Sequence, residues 1–256
     1  MTPSAFNLRG KVAIVTGGNG GIGLGMARGL ADAGADIAVI GRNEAKSNAA
    51  VADLTARGVR AIAVMVDVTN PDAVTAMIER VCGELGRIDI LVNNAGINIR
   101  KPPHLLELDE WQKVIETNLT SAFLCSKAAY PALKTAGGGK IINIGSMMSI
   151  FGASFAPAYA ATKGGIVQFT RACACAWAAD NIQVNAVLPG WIDTELTKSA
   201  RQQVDGLHER VLARTPAKRW GEIGDFAGIA VFLSSRASDF VTGTAIPVDG
   251  GYSISG

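Results

Sequence analysis

Short apolar runs recur along the chain, with room for a helix between each pair. The runs are nearly continuous in hydrophobic and β-branched residues, as expected of strands covered on both faces. The six clearest occupy residues 11–16, 36–40, 61–66, 88–94, 140–144 and 182–187, and a seventh is expected at 244–248. This alternation predicts an α/β, single-domain, doubly wound Rossmann fold with a seven-stranded parallel sheet flanked by helices.

Composition and charge argue against several classes of protein. Hydrophobic residues make up 48% of the 256 residues and charged residues 18%, and the formal net charge is +2. A chain of this kind is expected to be folded, and without a long Lys/Arg run it is not expected to bind nucleic acid. The sequence has no uninterrupted apolar stretch long enough for a membrane span and no signal-peptide pattern. A cytoplasmic protein with no membrane partner is therefore expected.

The cysteines and histidines do not suggest a metal centre. In a cytoplasmic protein the four cysteines are expected to be reduced thiols, and they are Cys82, Cys125, Cys173 and Cys175. Two of them, Cys173 and Cys175, are two apart in a helical run and should point to different faces. The two histidines, His104 and His208, are far apart and have no cysteine nearby. No metal site is predicted.

A glycine-rich turn follows the first predicted strand and opens a helix. Its sequence, residues 16–23, places Gly17, Gly21 and Gly23 around Asn19 and Ile22. Glycine permits the tight turn and lets backbone N–H groups approach a pyrophosphate, while the helix N-terminus adds a favourable dipole. The turn therefore predicts a dinucleotide site, with these five residues as cofactor contacts.

Further motifs occur in order after this turn. They are Asn93-Asn94-Ala95-Gly96, Ser146, Tyr159-x-x-x-Lys163, Pro189-Gly190 and Val248-Asp249-Gly250-Gly251. With the Gly-x-x-x-Gly-x-Gly spacing, this series resembles the compact branch of the short-chain dehydrogenase/reductase family over essentially the whole chain. The resemblance implies that residues 1–256 form one dinucleotide-binding and catalytic domain. It also implies an NAD(P)-dependent oxidoreductase that transfers hydride between nicotinamide and a secondary alcohol or ketone.

The resemblance implies a catalytic set of Asn118, Ser146, Tyr159 and Lys163. Tyr159 and Lys163 are four residues apart and should share one helix face. A free phenol has a pKa of about 10, and a nearby ammonium and the nicotinamide ring are expected to lower the pKa of Tyr159. Tyr159 would then act as general acid in reduction and general base in oxidation. Ser146 would orient the substrate oxygen, Lys163 would also bind the nicotinamide ribose, and Asn118 would hold a relay water.

Other cofactor contacts are implied position by position. Asp67 and Val68 end the third strand and resemble the pair that contacts adenine. The remaining positions are Asn94, Ala95 and Gly96 on the ribose side, and Pro189, Gly190, Ile192 and Thr194 near the nicotinamide amide.

The end of the second strand favours NADP(H). A fold that prefers NAD usually carries an acidic residue there, which repels a 2′-phosphate. Here that position is Gly41, and Arg42 and Asn43 follow it. The guanidinium of Arg42 could bind the phosphate. A second basic position in the family, just before the middle glycine of the turn, is Gly20, so NAD(H) or dual use remains open.

Residues near the expected substrate mouth include Asn98, Arg100, Met148 and Trp191. Within the family, residues 94–102, 139–149 and 219–221 are similar to sugar-acid dehydrogenases of the gluconate 5-dehydrogenase and 2-keto-3-deoxygluconate type. Arg100 or Lys101 could pair with a carboxylate, whereas the nearby aromatic and methionine residues suit a less polar ketone. The irregular stretch 190–215 is interpreted as a poorly ordered substrate loop.

Alternative functions remain open from sequence. A 3-oxoacyl-[acyl-carrier-protein] reductase shares the same scaffold and catalytic set, and a non-catalytic nucleotide-sensing regulator could use the same fold. The family resemblance also implies a homotetramer or homodimer, and the apolar helix at 166–177 is a candidate contact surface.

Overall fold

A single parallel sheet forms the centre of the computed structural model, which describes residues 5–255. Residues 1–4 and 256, which the predicted domain includes, lie outside the described residues. The seven strands lie in the order β3-β2-β1-β4-β5-β6-β7 and all neighbours pair in parallel. They are β1 (Val12–Thr16), β2 (Asp36–Gly41), β3 (Ala61–Met65), β4 (Ile90–Asn93), β5 (Gly139–Ile144), β6 (Ile182–Pro189) and β7 (Ala245–Val248). The predicted fold is confirmed.

Helices cover both faces of this sheet. They are α1 (Gly21–Asp32), α2 (Glu44–Thr55), α3 (Pro71–Leu85), α4 (Leu108–Ile115), α5 (Ser121–Thr135), α6 (Pro157–Trp177), α7 (Glu195–Gln203), α8 (Leu207–Arg214) and α9 (Ala227–Ser234). Strand order reverses between β1 and β4, which are neighbours in the sheet. A crevice at the carboxyl ends of strands is the usual ligand site at such a reversal.

The strands are buried on both faces, which explains their continuous apolar sequences. Along β1, Val12 and Ile14 pack with residues of α3, α5 and α6. The alternate residues Ala13 and Val15 pack with α1 and α9 on the opposite face. The sheet thus forms a rigid floor, from which the strand ends project the residues of the site.

The stretch 190–215 corrects the sequence interpretation, because most of it is helical. The structure forms α7 and α8 here instead of an irregular loop. Thr194 and Thr197 form a capping box at the start of α7, since the hydroxyl of Thr197 accepts the backbone N–H of Thr194 at 3.0 Å. Leu207 and Val211 are buried with Trp220 in a small cluster of their own. Both helices are too short and polar to be evident from periodicity.

The helical region around Asn118 departs from regular geometry. Residues Glu116–Thr120 form a π-helical turn between α4 and α5. A polar side chain such as that of Asn118 in mid-helix can perturb the local backbone hydrogen bonds. Such turns widen the helix by one residue and commonly occur at functional sites.

The four cysteines form no disulfide with one another. Cys173 is buried and Cys175 exposed, so they lie on different faces of α6, and all four cysteines are free.

Within residues 5–255, no helix is long and apolar enough to cross a bilayer.

Candidate active site

The glycine turn after β1 is shaped by the close approach of β4. Gly17 and Gly21 have positive φ angles of 63° and 51°. A Cβ on Gly17 would lie 2.8 Å from Asn94 Nδ2, and one on Gly23 would lie 2.5 Å from the carbonyl oxygen of Gly17. Asn94 Nδ2 donates to the carbonyls of Thr16 and Gly17 at 2.9 and 3.2 Å. Asn94 thereby ties the end of β4 to the turn.

The N-terminus of α1 is open toward the crevice. Gly20 is the N-cap residue of this helix and has no side chain that could cap the first N–H groups. Free N–H groups at a helix start, behind a glycine turn, fit a pyrophosphate. The glycine turn and the uncapped start of α1 therefore fit a bound dinucleotide.

Gly41 is constrained by the neighbouring side chain of Asn19. Asn19 Nδ2 donates to Ser47 Oγ at 3.0 Å, which fixes the Asn19 side chain beside the end of β2. A Cβ on Gly41 would overlap Asn19 Nδ2 and lie 2.9 Å from its Cγ. An acidic side chain at Gly41 would therefore displace Asn19.

A cleft of about 320 Å³ adjoins this turn at the carboxyl ends of β1–β3. Eight of the predicted cofactor residues line it: Gly17, Asn19, Arg42, Asn43, Asp67, Val68, Ala95 and Gly96. Lys46, which sequence analysis missed, lines it too. Its position in the first turn of α2, four residues after Arg42 at the end of β2, is the signal that could have identified it.

The cations in this cleft are only lightly engaged. Arg42 Nη1 lies 3.6 Å from Asp67 Oδ2, and both side chains are largely exposed. Asp67 is held by Thr69, whose backbone N–H and hydroxyl both donate to Oδ1. These hydrogen bonds, reinforced by Arg42, lower the pKa of Asp67. Lys46 is exposed and has no ion pair within residues 5–255. Two cations therefore remain available to an anion.

Ser146 and Tyr159 meet at the end of β5 and the start of α6. Both side chains line one cavity, and hydrogen bonding from Ser146 acts to lower the pKa of the Tyr159 phenol. Ser146 Oγ also accepts the backbone N–H of Met148 at 3.1 Å, which fixes its rotamer. The Ser146 hydroxyl and the Tyr159 phenol are thus close together at this edge of the sheet.

The pKa of Tyr159 runs against the sequence expectation in this structure. Burial raises the pKa of the phenol, while the hydrogen bond from Ser146 and the charge of Arg100 oppose that rise. Lys163 does not supply the expected lowering, because its Nζ donates to the carbonyl of Ile144 at 2.6 Å and lies 5.4 Å from the Tyr159 ring centroid. Burial also lowers the pKa of Lys163 to about 8.

The side-chain amide of Asn118 forms hydrogen bonds with the loop that follows β4. Its Oδ1 accepts the N–H of Ile97 at 2.8 Å, and its Nδ2 donates to the carbonyl of Ile97 at 2.9 Å. A weaker bond reaches Thr162 of α6 at 3.3 Å. Asn118 therefore joins the π turn, the loop and α6, three elements that surround the site.

A second cavity lies beside Tyr159 and contains every predicted substrate residue. Asn98, Arg100, Met148 and Trp191 line it together with Ser146, Tyr159, Pro189 and Gly190. Leu196 and Thr197 of α7 also line it, and sequence analysis missed them because the helix itself was not recognised. Most of the wall is apolar, and one guanidinium is set into it.

Arg100 and Lys101 play different parts in this wall. Lys101 pairs with Glu110 at 2.6 Å and does not line the cavity. Arg100 donates only to neutral oxygens, Gln203 Oε1 and the carbonyl of Leu196, each at 3.2 Å. Burial lowers its pKa, and the nearby Tyr159 opposes that effect. Arg100 is thus a half-buried cation without a carboxylate partner among residues 5–255.

The segment after β6 connects the two cavities. Gly190 packs against β7, since a Cβ there would lie 2.7 Å from the Cα of Asp249. Ile192 is buried, and Thr194 begins α7. A Cβ on Gly21 would lie 3.6 Å from Thr194 Cγ2, so the segment crosses close to the dinucleotide turn.

Groups of three or more His, Cys, Asp or Glu side chains that could hold a metal ion are absent from residues 5–255.

A family model described as enoyl-(acyl carrier protein) reductase matches residues 17–253. The chain belongs to the short-chain dehydrogenase/reductase family. As a member of that family it is an NAD(P)-dependent oxidoreductase that acts on CH–OH groups.

Relatives of this short-chain dehydrogenase/reductase carry sugar-acid names. The 2-dehydro-3-deoxy-D-gluconate 5-dehydrogenase of Escherichia coli K12 is 44% identical over 98% of this chain and 99% of its own. The gluconate 5-dehydrogenase of Gluconobacter oxydans is 38% identical over 99% and 98%. A crystal structure of a gluconate 5-dehydrogenase from Burkholderia cenocepacia, in complex with NADP and tartrate, has a TM-score of 0.93 at 39% identity and covers 98% of each chain.

Proposed function

We propose that this enzyme is an NADP-dependent sugar-acid dehydrogenase, which interconverts a secondary hydroxyl and a ketone on a carboxylate-bearing polyol. The observation that carries the proposal is Arg100, a half-buried cation beside Tyr159 with no carboxylate partner among residues 5–255. Charge-assisted bonds from a guanidinium fork suit a carboxylate. The names of the relatives support the same substrate class.

The residues of the site divide the reaction between them. In oxidation, Tyr159 accepts the hydroxyl proton of the substrate while Ser146 donates a hydrogen bond to the same oxygen. Lys163 is buried beneath the phenol and supplies positive charge when protonated. A nicotinamide cofactor, held by the glycine turn and the cleft beside it, would supply the acceptor for the hydride on the substrate carbon. In reduction Tyr159 returns the proton to the new alkoxide oxygen.

Tyr159→Phe tests the proton transfer. The phenylalanine ring keeps the packing and removes only the hydroxyl, so we expect kcat to fall by about 10²–10⁴-fold. Cofactor dissociation constants should stay within a few-fold, as measured by fluorescence titration. Retention of a tenth of the wild-type turnover would remove Tyr159 from this role.

Arg42 and Lys46 support the choice of NADP. Both line the cleft at the carboxyl ends of β1–β3, which we assign to the adenosine half of the cofactor. A 2′-phosphate there would meet two cations beside the N-terminus of α2. Lys46 takes the place of the second cation that is missing at Gly20. Three related structures, from Beutenbergia cavernae, Burkholderia cenocepacia and Agrobacterium tumefaciens, are described with NADP. Use of NAD(H) as well is the alternative outcome of the test.

Binding of 2′,5′-ADP and 5′-AMP isolates the phosphate contact from catalysis. Each charge-assisted bond contributes about 1.5–3 kcal/mol, so Arg42→Ala should weaken 2′,5′-ADP by roughly 10- to 100-fold and leave 5′-AMP nearly unchanged. Lys46→Ala should act in the same direction, and Lys113→Ala on α4 is the control. Equal loss for both nucleotides, or wild-type preference for NAD, would contradict the NADP assignment.

Arg100→Met tests the substrate class. With sugar acids, KM should rise by about 10- to 100-fold, because a bond between charged partners is lost. With neutral polyols KM should change little, and Lys101→Met should affect neither. The 3-oxoacyl-[acyl-carrier-protein] reductase alternative predicts instead that acyl thioesters turn over faster than any sugar acid.

We infer that residues 1–256 act as one catalytic domain within a cytoplasmic homotetramer or homodimer. The surface of α5 and α6 supports the assembly. Phe123 on α5 is 46% exposed and meets Phe169 of α6 edge-on at 6.4 Å. Exposed aromatic pairs are common at subunit contacts.

A further inference from the structure

Trp220 contacts three separate segments that surround the substrate cavity. Its ring lies 5.7 Å from that of Trp191, at an interplanar angle of 69°. The guanidinium carbon of Arg201, on α7, lies 4.4 Å from the ring centroid. The ring also bonds to His208 on α8. Only 9% of Trp220 is exposed, so this large side chain is almost wholly enclosed by the two helices and the segment after β6.

The contact with His208 is a directional hydrogen bond. The indole Nε1 donates to Nδ1 of the imidazole at 3.1 Å, and the planes of the two rings are parallel within 9°. A ring N–H group at this distance from a ring nitrogen makes a hydrogen bond of ordinary length. Because an indole N–H can only donate, Nδ1 of His208 is the acceptor of this bond.

The backbone next to Trp220 is joined to the cavity wall. Gly221 donates to the carbonyl of Trp191 at 2.9 Å, and its own carbonyl accepts the N–H of Asp193 at 2.8 Å. Asp193 forms an ion pair with Arg201, which also covers the Trp220 ring. Residues 191–193 are thus held to residues 220–221 by both main chain and side chain.

The position of α7 determines where Arg100 points. Leu196 and Gln203, near the two ends of this helix, supply the oxygens that accept from the Arg100 guanidinium. Leu196 and Thr197 also form part of the cavity wall. Yet Ala200 is the one buried residue of α7, so the helix has little apolar burial of its own to hold it in place.

We propose that Trp220 is a positioning residue, which holds α7 and α8 against residues 191–193 and so fixes Arg100 and the substrate wall. The inference rests on the proposed function, because it takes the cavity beside Tyr159 as the substrate site. Displacement of a substrate-binding group by about 1 Å can reduce activity 100-fold, even when the change is remote from the reacting atoms.

Trp220→Ala and Trp220→Phe separate the packing of the ring from its hydrogen bond. In Trp220→Ala we expect the KM for the sugar acid to rise about 10- to 100-fold, with a smaller change in kcat and an unchanged dissociation constant for 2′,5′-ADP, whose predicted contacts Arg42 and Lys46 line the separate cleft beside the glycine turn. Amide hydrogen exchange over residues 195–214 should become at least tenfold faster. Trp220→Phe keeps the contacts with Trp191 and Arg201 and should show a smaller rise in both.

Trp177→Ala is the matched control. This tryptophan packs on Tyr130 at the far end of α6, roughly 27 Å along the helix from Tyr159 at 1.5 Å per residue. It should lose stability but keep the wild-type KM and the wild-type exchange over residues 195–214.

Substitution of His208 tests the hydrogen bond itself. His208→Gln retains an acceptor and should restore most of the exchange protection that His208→Leu removes. If Trp220→Ala leaves exchange over residues 195–214 and the KM at wild-type values, the proposal is wrong. Failure of the proposed function has a different signature: wild-type protein without turnover on any sugar acid, but with exchange over 195–214 that still depends on Trp220.

Discussion

At the scale of single residues, burial destabilises the charged forms of the ionisable groups in the site. Tyr159, Lys163 and Arg100 all have pKa values shifted toward their neutral forms by loss of water. The sequence expectation considered the attraction of the phenolate to a nearby ammonium and to the nicotinamide ring. The structure adds desolvation, which is the larger effect on Tyr159.

Arg100 should control the ionisation of Tyr159 as well as substrate binding. Its charge opposes the rise in the pKa of the phenol, so Arg100→Met should raise that pKa further. An ultraviolet difference titration, with Tyr159→Phe in the same background subtracted, measures the phenol directly. Arg100→Lys retains the charge and should keep the midpoint near that of wild type. An identical midpoint in Arg100→Met would contradict the coupling.

Lys163 should make stability depend on pH in a defined window. Its pKa in the folded protein is about 8, below the ordinary value of 10.5. Between these two values the unfolded chain binds more protons than the folded one, so the free energy of unfolding should increase as pH rises from 8 toward 10.5. Lys163→Met removes this contribution.

Chemical denaturation of both proteins at several pH values measures the effect. The advantage of Lys163→Met over wild type should shrink across the window, by an amount of order 3 kcal/mol at most. Tyr159 opposes the trend only above its ordinary pKa, so the comparison is clearest below pH 10. A pH-independent difference would show that the Lys163 ammonium is not penalised by burial.

At the scale of elements, α1 illustrates how glycine sets the distance between helices. Gly25 and Gly29 are one turn apart and face the segment that contains α9. A Cβ on Gly29 would lie 2.6 Å from the Cα of Ala227, and one on Gly25 would overlap the carbonyl oxygen of Ile223. The helix therefore packs backbone against backbone, which holds the start of α1 at the crevice.

Gly29→Ala should consequently destabilise the fold. The added methyl group forces main-chain atoms apart, and such overpacking costs about 1–3 kcal/mol. Gly83→Ala is the control, since Gly83 lies inside α3 with nothing within 4 Å of the added Cβ. That variant should be stabilised by about 0.5–1 kcal/mol through helix propensity. Thermal unfolding of the two variants should therefore shift in opposite directions.

At the scale of the whole molecule, the exposed aromatic surface of α5 and α6 predicts association. Phe123→Glu places a carboxylate beside Lys127, whose Nζ lies 5.9 Å from the Phe123 ring, so the monomer should still fold. Sedimentation equilibrium should give a multiple of 26.5 kDa for wild type and a smaller multiple for the variant. If wild type sediments as a monomer, the proposed assembly is wrong.

The sequence alone determined the strands, their parallel arrangement and the series of motifs at the strand ends. These features follow from local information. Continuous apolar runs imply strands buried on both faces, and a glycine-rich turn between a strand and a helix is typical of a dinucleotide site. Tertiary structure alone decided which residues act together. It selected Arg100 over Lys101, because Glu110 pairs with Lys101. It added Lys46, and it folded residues 190–215 into two helices around Trp220. Such pairings depend on side chains far apart in the chain, and no local pattern encodes them.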